Sequence, residues 1–272
     1  MCRWLAYSGG AIRLNQLLFE PADNLIDQSL SSHSAETPTN ADGFGVGWYG
    51  KWKYPGLFRS VRPAWNDQNL RDLGYHIESP LFLAHVRASS HTVVQETNCH
   101  PFRYKNWLFV HNGEIYGIEK FRKELMTAVD PQFFENILGT TDSELMFHLA
   151  LTFGLEQDPI PAMARMVGFV ESTAKKYDVD QSVWMTIGLS DGKTVWAFRY
   201  SSDADSPTLY LSPSIEELVK VNPALSGRYS ATANAIVSEP MGKFRDLWTA
   251  IPEGQSIRVR DGVVQITPFS PA

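Results

Sequence analysis

Only two cysteines, Cys2 and Cys99, occur in 272 residues. A disulfide framework is thereby excluded, and a reducing cytoplasm is the expected location. No window approaches eighteen consecutive apolar residues, so no membrane-spanning helix is expected. The opening MCRWLAYSGG lacks the apolar run of a signal peptide. With a single Met ahead of Cys2, a lipid anchor added after cleavage of an export signal is not expected either. There is no run of like charge: 24 basic and 30 acidic residues give a net charge of −6. That balance argues against nucleic acid or an anionic membrane as partner. Repeats, low-complexity tracts and linkers are absent, and the 43% hydrophobic content suits a substantial core. One domain over residues 2–272 is expected.

Short apolar runs at 4–7, 44–49, 81–86 and 107–111 read as buried strands. Two hairpins are expected around Asp-Gly turns, one joining 182–189 to 194–200 and one joining 256–260 to 263–267. Helical spacing of apolar residues appears at 118–129, 142–153 and 161–177, with Thr141 or Asp142 as N-cap of the second. Strands, then helices, then strands again suggest an α+β fold with largely antiparallel sheets.

Three familiar motifs fail on context. Gly45-Val-Gly47-Trp-Tyr-Gly50-Lys51 resembles a phosphate loop, yet Trp52-Lys-Tyr-Pro55-Gly56 cannot open the helix such a loop needs. Gly188-Leu-Ser190-Asp-Gly192 has the spacing of a nucleophile elbow, but a hairpin arm follows it and no histidine occurs after His148. His85, His91, His100 and His111, with Cys99, lack both an HExxH pair and a close Cys pair, so a zinc site is not favoured.

Cys2 has a different potential. Removal of Met1 would place a thiol and a free α-amine on one residue, with unperturbed pKa values of about 8.5 and about 7.7–8.0. A nucleophile and its base then sit together. Four further segments read alongside it: His85-Val-Arg87-Ala-Ser-Ser90-His91, Asn98-Cys-His100-Pro-Phe102, His111-Asn112-Gly113-Glu114 and Thr141-Asp142-Ser143-Glu144. In this order, behind Met-Cys, they resemble the class II glutamine amidotransferases, strongly over 2–150 and diffusely beyond. Ser238-Glu239-Pro240 and the length resemble the stand-alone bacterial branch called YafJ-like. The resemblance implies the four-layer αββα sandwich of the N-terminal-nucleophile hydrolases, with two mainly antiparallel sheets.

Glutamine chemistry fits the same residues. Arg87 can grip the α-carboxylate through parallel hydrogen bonds, with Ser90 adding a hydroxyl, and Asp142 can pair with the α-ammonium. The Asn112 side chain and the Gly113 N–H can stabilise an oxyanion. Each has a plainer alternative: Arg87 as a structural ion-pair partner, Asn112-Gly113 as a hairpin turn, Asp142 as an N-cap, Cys99 as a small buried residue.

The implied mechanism needs no metal or organic cofactor. Cys2 attacks the glutamine side-chain amide, ammonia leaves, and water releases glutamate from a γ-glutamyl thioester. Three functions follow: an amidotransferase or glutaminase feeding ammonia to a synthase partner, a hydrolase of another γ-glutamyl amide in thiol or amine metabolism, or a non-catalytic glutamine- or glutamate-binding protein. Trp48, Tyr116 and Trp184 are candidates to shape the region beyond the amide nitrogen.

Overall fold

The computed structural model describes residues 2–30, 39–89 and 92–272. Among the described residues, the strands run in chain order as β1 (Arg3–Arg13), β2 (Phe44–Trp48), β3 (Gly56–Ser60), β4 (Glu78–Val86), β5 (Phe102–Tyr104), β6 (Trp107–Ile115), β7 (Val183–Ser190), β8 (Thr194–Ser201), β9 (Tyr210–Leu211), β10 (Asn234–Val237), β11 (Thr249–Ala250), β12 (Gln255–Arg260) and β13 (Val263–Pro268). A seven-stranded sheet has the order β11-β9-β10-β1-β4-β2-β3, and a six-stranded sheet the order β13-β12-β8-β7-β6-β5. Every pairing in both is antiparallel.

The two-residue alternation of the strands builds the layers. In β1, Trp4 and Ala6 turn into the apolar gap between the sheets, where Leu81 and Leu83 of β4 and Leu108 and Val110 of β6 meet them. Leu5 and Tyr7 turn the other way, toward α1 (Asn15–Leu18), α2 (Leu25–Leu30) and α3 (Gln68–His76). In β6, Trp107 and Phe109 likewise face away from the gap. They pack on α4 (Ile118–Thr127), α5 (Pro131–Phe134), α6 (Asp142–Thr152) and α7 (Pro159–Lys175). A last short helix, α8 (Ile215–Val221), begins at a Ser214–Glu217 capping box. The result is the expected αββα sandwich of N-terminal-nucleophile hydrolase type.

Two buried hydrogen bonds tie the sheets together across this apolar gap. Trp4 Nε1 donates to Thr186 Oγ1 at 3.1 Å, and His85 Nε2 lies 3.1 Å from the His111 carbonyl oxygen.

Several boundaries differ from the sequence reading. The first strand extends to Arg13 through an irregularity between Ser8 and Ile12. The strand expected at 107–111 continues to Ile115 because β7 supplies a complete ladder, with Asn112 opposite Thr186 and Gly113 opposite Met185. Asn112-Gly113 is therefore strand, not a hairpin turn. Both Asp-Gly hairpins form. Asp261 and Gly262 take φ of 50° and 79°, as a two-residue I′ turn requires. The longer Asp191 loop instead uses its carboxylate to accept from the N–H groups of Lys193 and Thr194.

Candidate active site

Cys2 precedes β1 at the rim of the gap, and its Sγ lies 3.4 Å from the Ala88 carbonyl oxygen, to which it donates. It opens onto a cavity of about 610 Å³ whose wall includes Arg87, Gly113, Tyr116 and Asp142. Burial pushes the Cys2 thiol above its ordinary range, while the Ala88 hydrogen bond and the nearby Arg87 cation act in the opposite direction.

Arg87 follows β4 and is buried. Its Nη1 donates to the Asp42 carbonyl (3.2 Å), and its Nη2 donates to Ser89 Oγ (3.0 Å) and Thr92 Oγ1 (2.5 Å). Among the described residues it forms no salt bridge. A buried guanidinium held by neutral oxygens suits an anionic ligand as its counter-charge. Ser90 and His91 lie outside the described residues.

Asp142 is the first residue of α6 rather than its cap. The cap is Thr141, whose hydroxyl accepts from Glu144 N at 3.1 Å. The Asp142 carboxylate accepts from Ile115 N (2.8 Å) through one oxygen. Through the other it accepts from Ser143 N (2.8 Å) and Ser143 Oγ (3.2 Å). These bonds join α6 to the end of β6 and aim the carboxylate at the cavity wall.

Gly113 has φ of +143°, and a Cβ built there would lie 1.8 Å from the Trp184 carbonyl oxygen. Only glycine fits this position. Asn112 is buried beside it, opposite Thr186 and so on the face turned to the gap, as Cys2 is. Its Oδ1 has no hydrogen-bond partner among the described residues. The structure thus places Cys2, Arg87, Gly113 and Asp142 on one cavity, with Asn112 behind its wall.

Three buried histidines complete the surroundings. Burial lowers the basicity of each: His85 falls to about 3, His100 lies well below the usual range, and His111 is lowered against an opposing pull from Asp142. Kept neutral, they have definable tautomers. His85 donates from Nε2 to the His111 carbonyl, and His100 accepts at Nδ1 from His111 N (3.2 Å). Among the described residues no group of three or more His, Cys, Asp or Glu side chains is arranged to hold a metal ion. Cys99 is buried with Sγ donating to the Ser60 carbonyl (3.4 Å), and its thiol is pushed up to about 11.

Of the residues expected to shape the region beyond the amide, Tyr116 lines the cavity. Trp48 does not: its parity in β2 sends it outward with Phe44 and Val46 into the helical side. Trp184 acts through its carbonyl oxygen behind Gly113, while its Nε1 donates to the Asp205 carbonyl. Sequence reasoning missed Asp42, Ser89 and Thr92, which hold Arg87. The hydroxyls flanking Ser90 were a visible signal; Asp42 had none, lying 45 residues from its partner.

The family profile described as "Glutamine amidotransferases class-II" matches residues 22–272. The probable glutamine amidotransferase DUG3 of Saccharomyces cerevisiae is 32% identical over 99% of this chain and 84% of its own length. The gamma-glutamyl-hercynylcysteine sulfoxide hydrolase of Mycolicibacterium smegmatis is 24% identical over 99% of this chain and all of its own. Among solved structures, a glutamine aminotransferase class-II domain protein from Silicibacter pomeroyi aligns over 99% of this chain and 100% of its own, with 32% identity and a TM-score of 0.74. The chain belongs to the class-II glutamine amidotransferase family, and is an enzyme acting on a γ-glutamyl amide.

Proposed function

We propose that this enzyme hydrolyses a γ-glutamyl amide larger than glutamine, with Cys2, freed of Met1, as nucleophile. The observation that carries the reading is the lining of the cavity at Cys2. The groups suited to a glutamyl end, Arg87 and Asp142, share it with Cys2 and Gly113, and its wall runs on over Tyr116, Ile118, Glu119 and Arg122. A volume of about 610 Å³ is ample for a substituted amide. The mycobacterial relative, named as a hydrolase of a substituted γ-glutamyl compound, supports the same reading. No synthase partner is required, since the leaving amine departs into solvent.

In the proposed mechanism Arg87 holds the α-carboxylate, with Ser90 as a further donor, and Asp142 holds the α-ammonium. The α-amine of Cys2 takes the thiol proton; a histidine as weakly basic as His85 is a poor alternative. The thiolate attacks Cδ, and the oxyanion is met by the Asn112 side chain and the Gly113 N–H. The amine leaves with the proton returned by the α-ammonium of Cys2. Water, deprotonated by the same amine, then cleaves the thioester to release glutamate. Assignment to the stand-alone YafJ-like branch is part of this proposal. It is supported by Ser238-Glu239-Pro240 and by the near-full-length match to the yeast and mycobacterial proteins.

Intact mass before and after treatment with 6-diazo-5-oxo-norleucine tests the nucleophile. Loss of Met1 and a single adduct on Cys2 are expected. Steady-state assays then compare glutamine with γ-glutamyl dipeptides, and a higher kcat/KM for the dipeptides is expected. A preference for glutamine would return the reading to a glutaminase; saturable binding without turnover would make it a binding protein.

A further inference from the structure

A nucleophile at a chain terminus is held from one side only, and free ends fray unless anchored. Cys2 lies ahead of both ladders that flank β1: pairing with β4 begins at Arg3 opposite Val86, and pairing with β10 at Leu5 opposite Val237. Beyond the bond from its own Sγ to the Ala88 carbonyl, the placement of Cys2 is therefore delegated to Arg3. That residue points to the helical side, opposite to Cys2, and is buried.

Arg3 Nε and Nη2 donate to Glu239 Oε1 at 2.8 and 2.6 Å, and Nη1 donates to Asn40 Oδ1 at 2.8 Å. The backbone on either side of Glu239 is also fixed, while its carboxylate is held through Oε1 alone. The preceding Ser238 extends β10, accepting at Oγ from Trp4 N (3.0 Å) and donating its own N–H to the Trp4 carbonyl (3.1 Å). From α2, Gln28 Nε2 donates to the carbonyls of Glu239 and Pro240 at 3.4 and 3.3 Å. The chain beyond Asn40 continues to Arg87: Asp42 N donates to the Arg87 carbonyl (3.1 Å), and Arg87 N to the Gly43 carbonyl (2.8 Å). A continuous frame thus joins the residue beside the thiol to Arg87 in the same cavity wall.

We infer that Glu239, acting through Arg3, is a positioning residue that aligns the Cys2 thiol with the bound amide. The inference rests on the reading of Cys2 as nucleophile. A fully buried ion pair contributes little net stability over apolar replacements, so its value lies in the geometry it fixes. A misplacement near 1 Å costs about a hundredfold in rate.

The test uses full-length, Met1-free protein, with kcat expressed per site titrated by 6-diazo-5-oxo-norleucine. Glu239→Gln is expected to lower kcat about tenfold to a hundredfold while KM changes less than about threefold. Labelling of Cys2 by the diazo reagent, which requires alignment, should slow in parallel. The pH-independent rate of alkylation by iodoacetamide, which requires only a thiolate, should hold. Glu239→Asp should recover part of the loss. If Glu239→Gln does not fold, Arg3→Lys, which replaces the planar fork with a point charge, is measured in the same way. Unchanged kcat per titrated site in a folded variant, or a change in KM alone, overturns the inference. A wild-type enzyme free of Met1 that takes up no diazo label at Cys2 removes the nucleophile reading beneath it, an outcome distinct from equal labelling of wild type and variant.

Discussion

At the scale of single residues, the site depends on positions where one side chain alone satisfies the geometry. Gly113→Ala puts a methyl group into the Trp184 carbonyl at a left-handed φ, so either β7 or the Gly113 N–H must shift. We expect kcat to fall by at least about a hundredfold, the usual cost of losing one oxyanion donor, with the circular dichroism of the fold retained. Wild-type kcat would remove Gly113 from that role. Arg87→Lys keeps the charge but loses the fork held by Ser89, Thr92 and Asp42. KM should rise about tenfold or more, with a smaller effect on kcat, and an unchanged KM would show that Arg87 does not read the substrate. The candidate residue types could be picked out in the sequence because glutamyl recognition demands a cation, an anion and paired donors. Their supports were legible only in part: the Ser89 and Thr92 hydroxyls lie beside Arg87 in the chain, whereas Asp42 comes from a segment that meets it only after β2 and β4 pair.

At the scale of elements, α6 shows both what local sequence dictates and where it stops. Thr141-Asp142-Ser143-Glu144 has the spacing of a capping box, and Thr141 does cap the helix. Glu144 leaves the box: its carboxylate accepts instead from Leu138 N (3.0 Å) and Gly139 N (2.6 Å), stitching the preceding loop to the helix. Thr141→Ala should therefore cost about 1 kcal/mol, read as a Tm lowered by roughly 2–4 °C. Because the cap also sets the first turn, the same variant should raise KM through Asp142; a lowered Tm with unaltered KM would separate the cap from the site. The end of β6 was illegible for a different reason. His111-Asn112-Gly113-Glu114 is polar and carries an Asn-Gly pair, so local signals say turn. The strand persists because eight consecutive pairs with β7, from Leu108 to Ile115, outweigh them. The two Asp-Gly hairpins were read correctly since there local turn chemistry and the ladder agree.

At the scale of the whole molecule, antiparallel strands flanking a helical middle were legible from patterning and the layer order from the family resemblance, but the polar ties between layers were hidden from sequence. His85 reaches from the seven-stranded sheet to the His111 carbonyl in the six-stranded one, and its ring lies 4.0 Å from that of His100. Burial lowers the basicity of His85, His100, His111 and, on α6, His148. All four are harder to protonate in the fold than in the unfolded chain, where a histidine takes up its proton at a pH of about 6.5. As pH falls below that value the unfolded state binds more protons than the native one, so stability declines. For His85 the decline continues to about pH 3, where the folded side chain itself takes up the proton. Each such histidine removes about 1.4 kcal/mol per pH unit inside its window. Urea unfolding should accordingly show a flat midpoint above pH 7.5 and a fall from pH 6.5 to 5 steeper than one histidine can produce. A midpoint that holds constant down to pH 5 would mean that these rings are already charged in the native protein, and that the neutral tautomers joining the two sheets at the site are wrong.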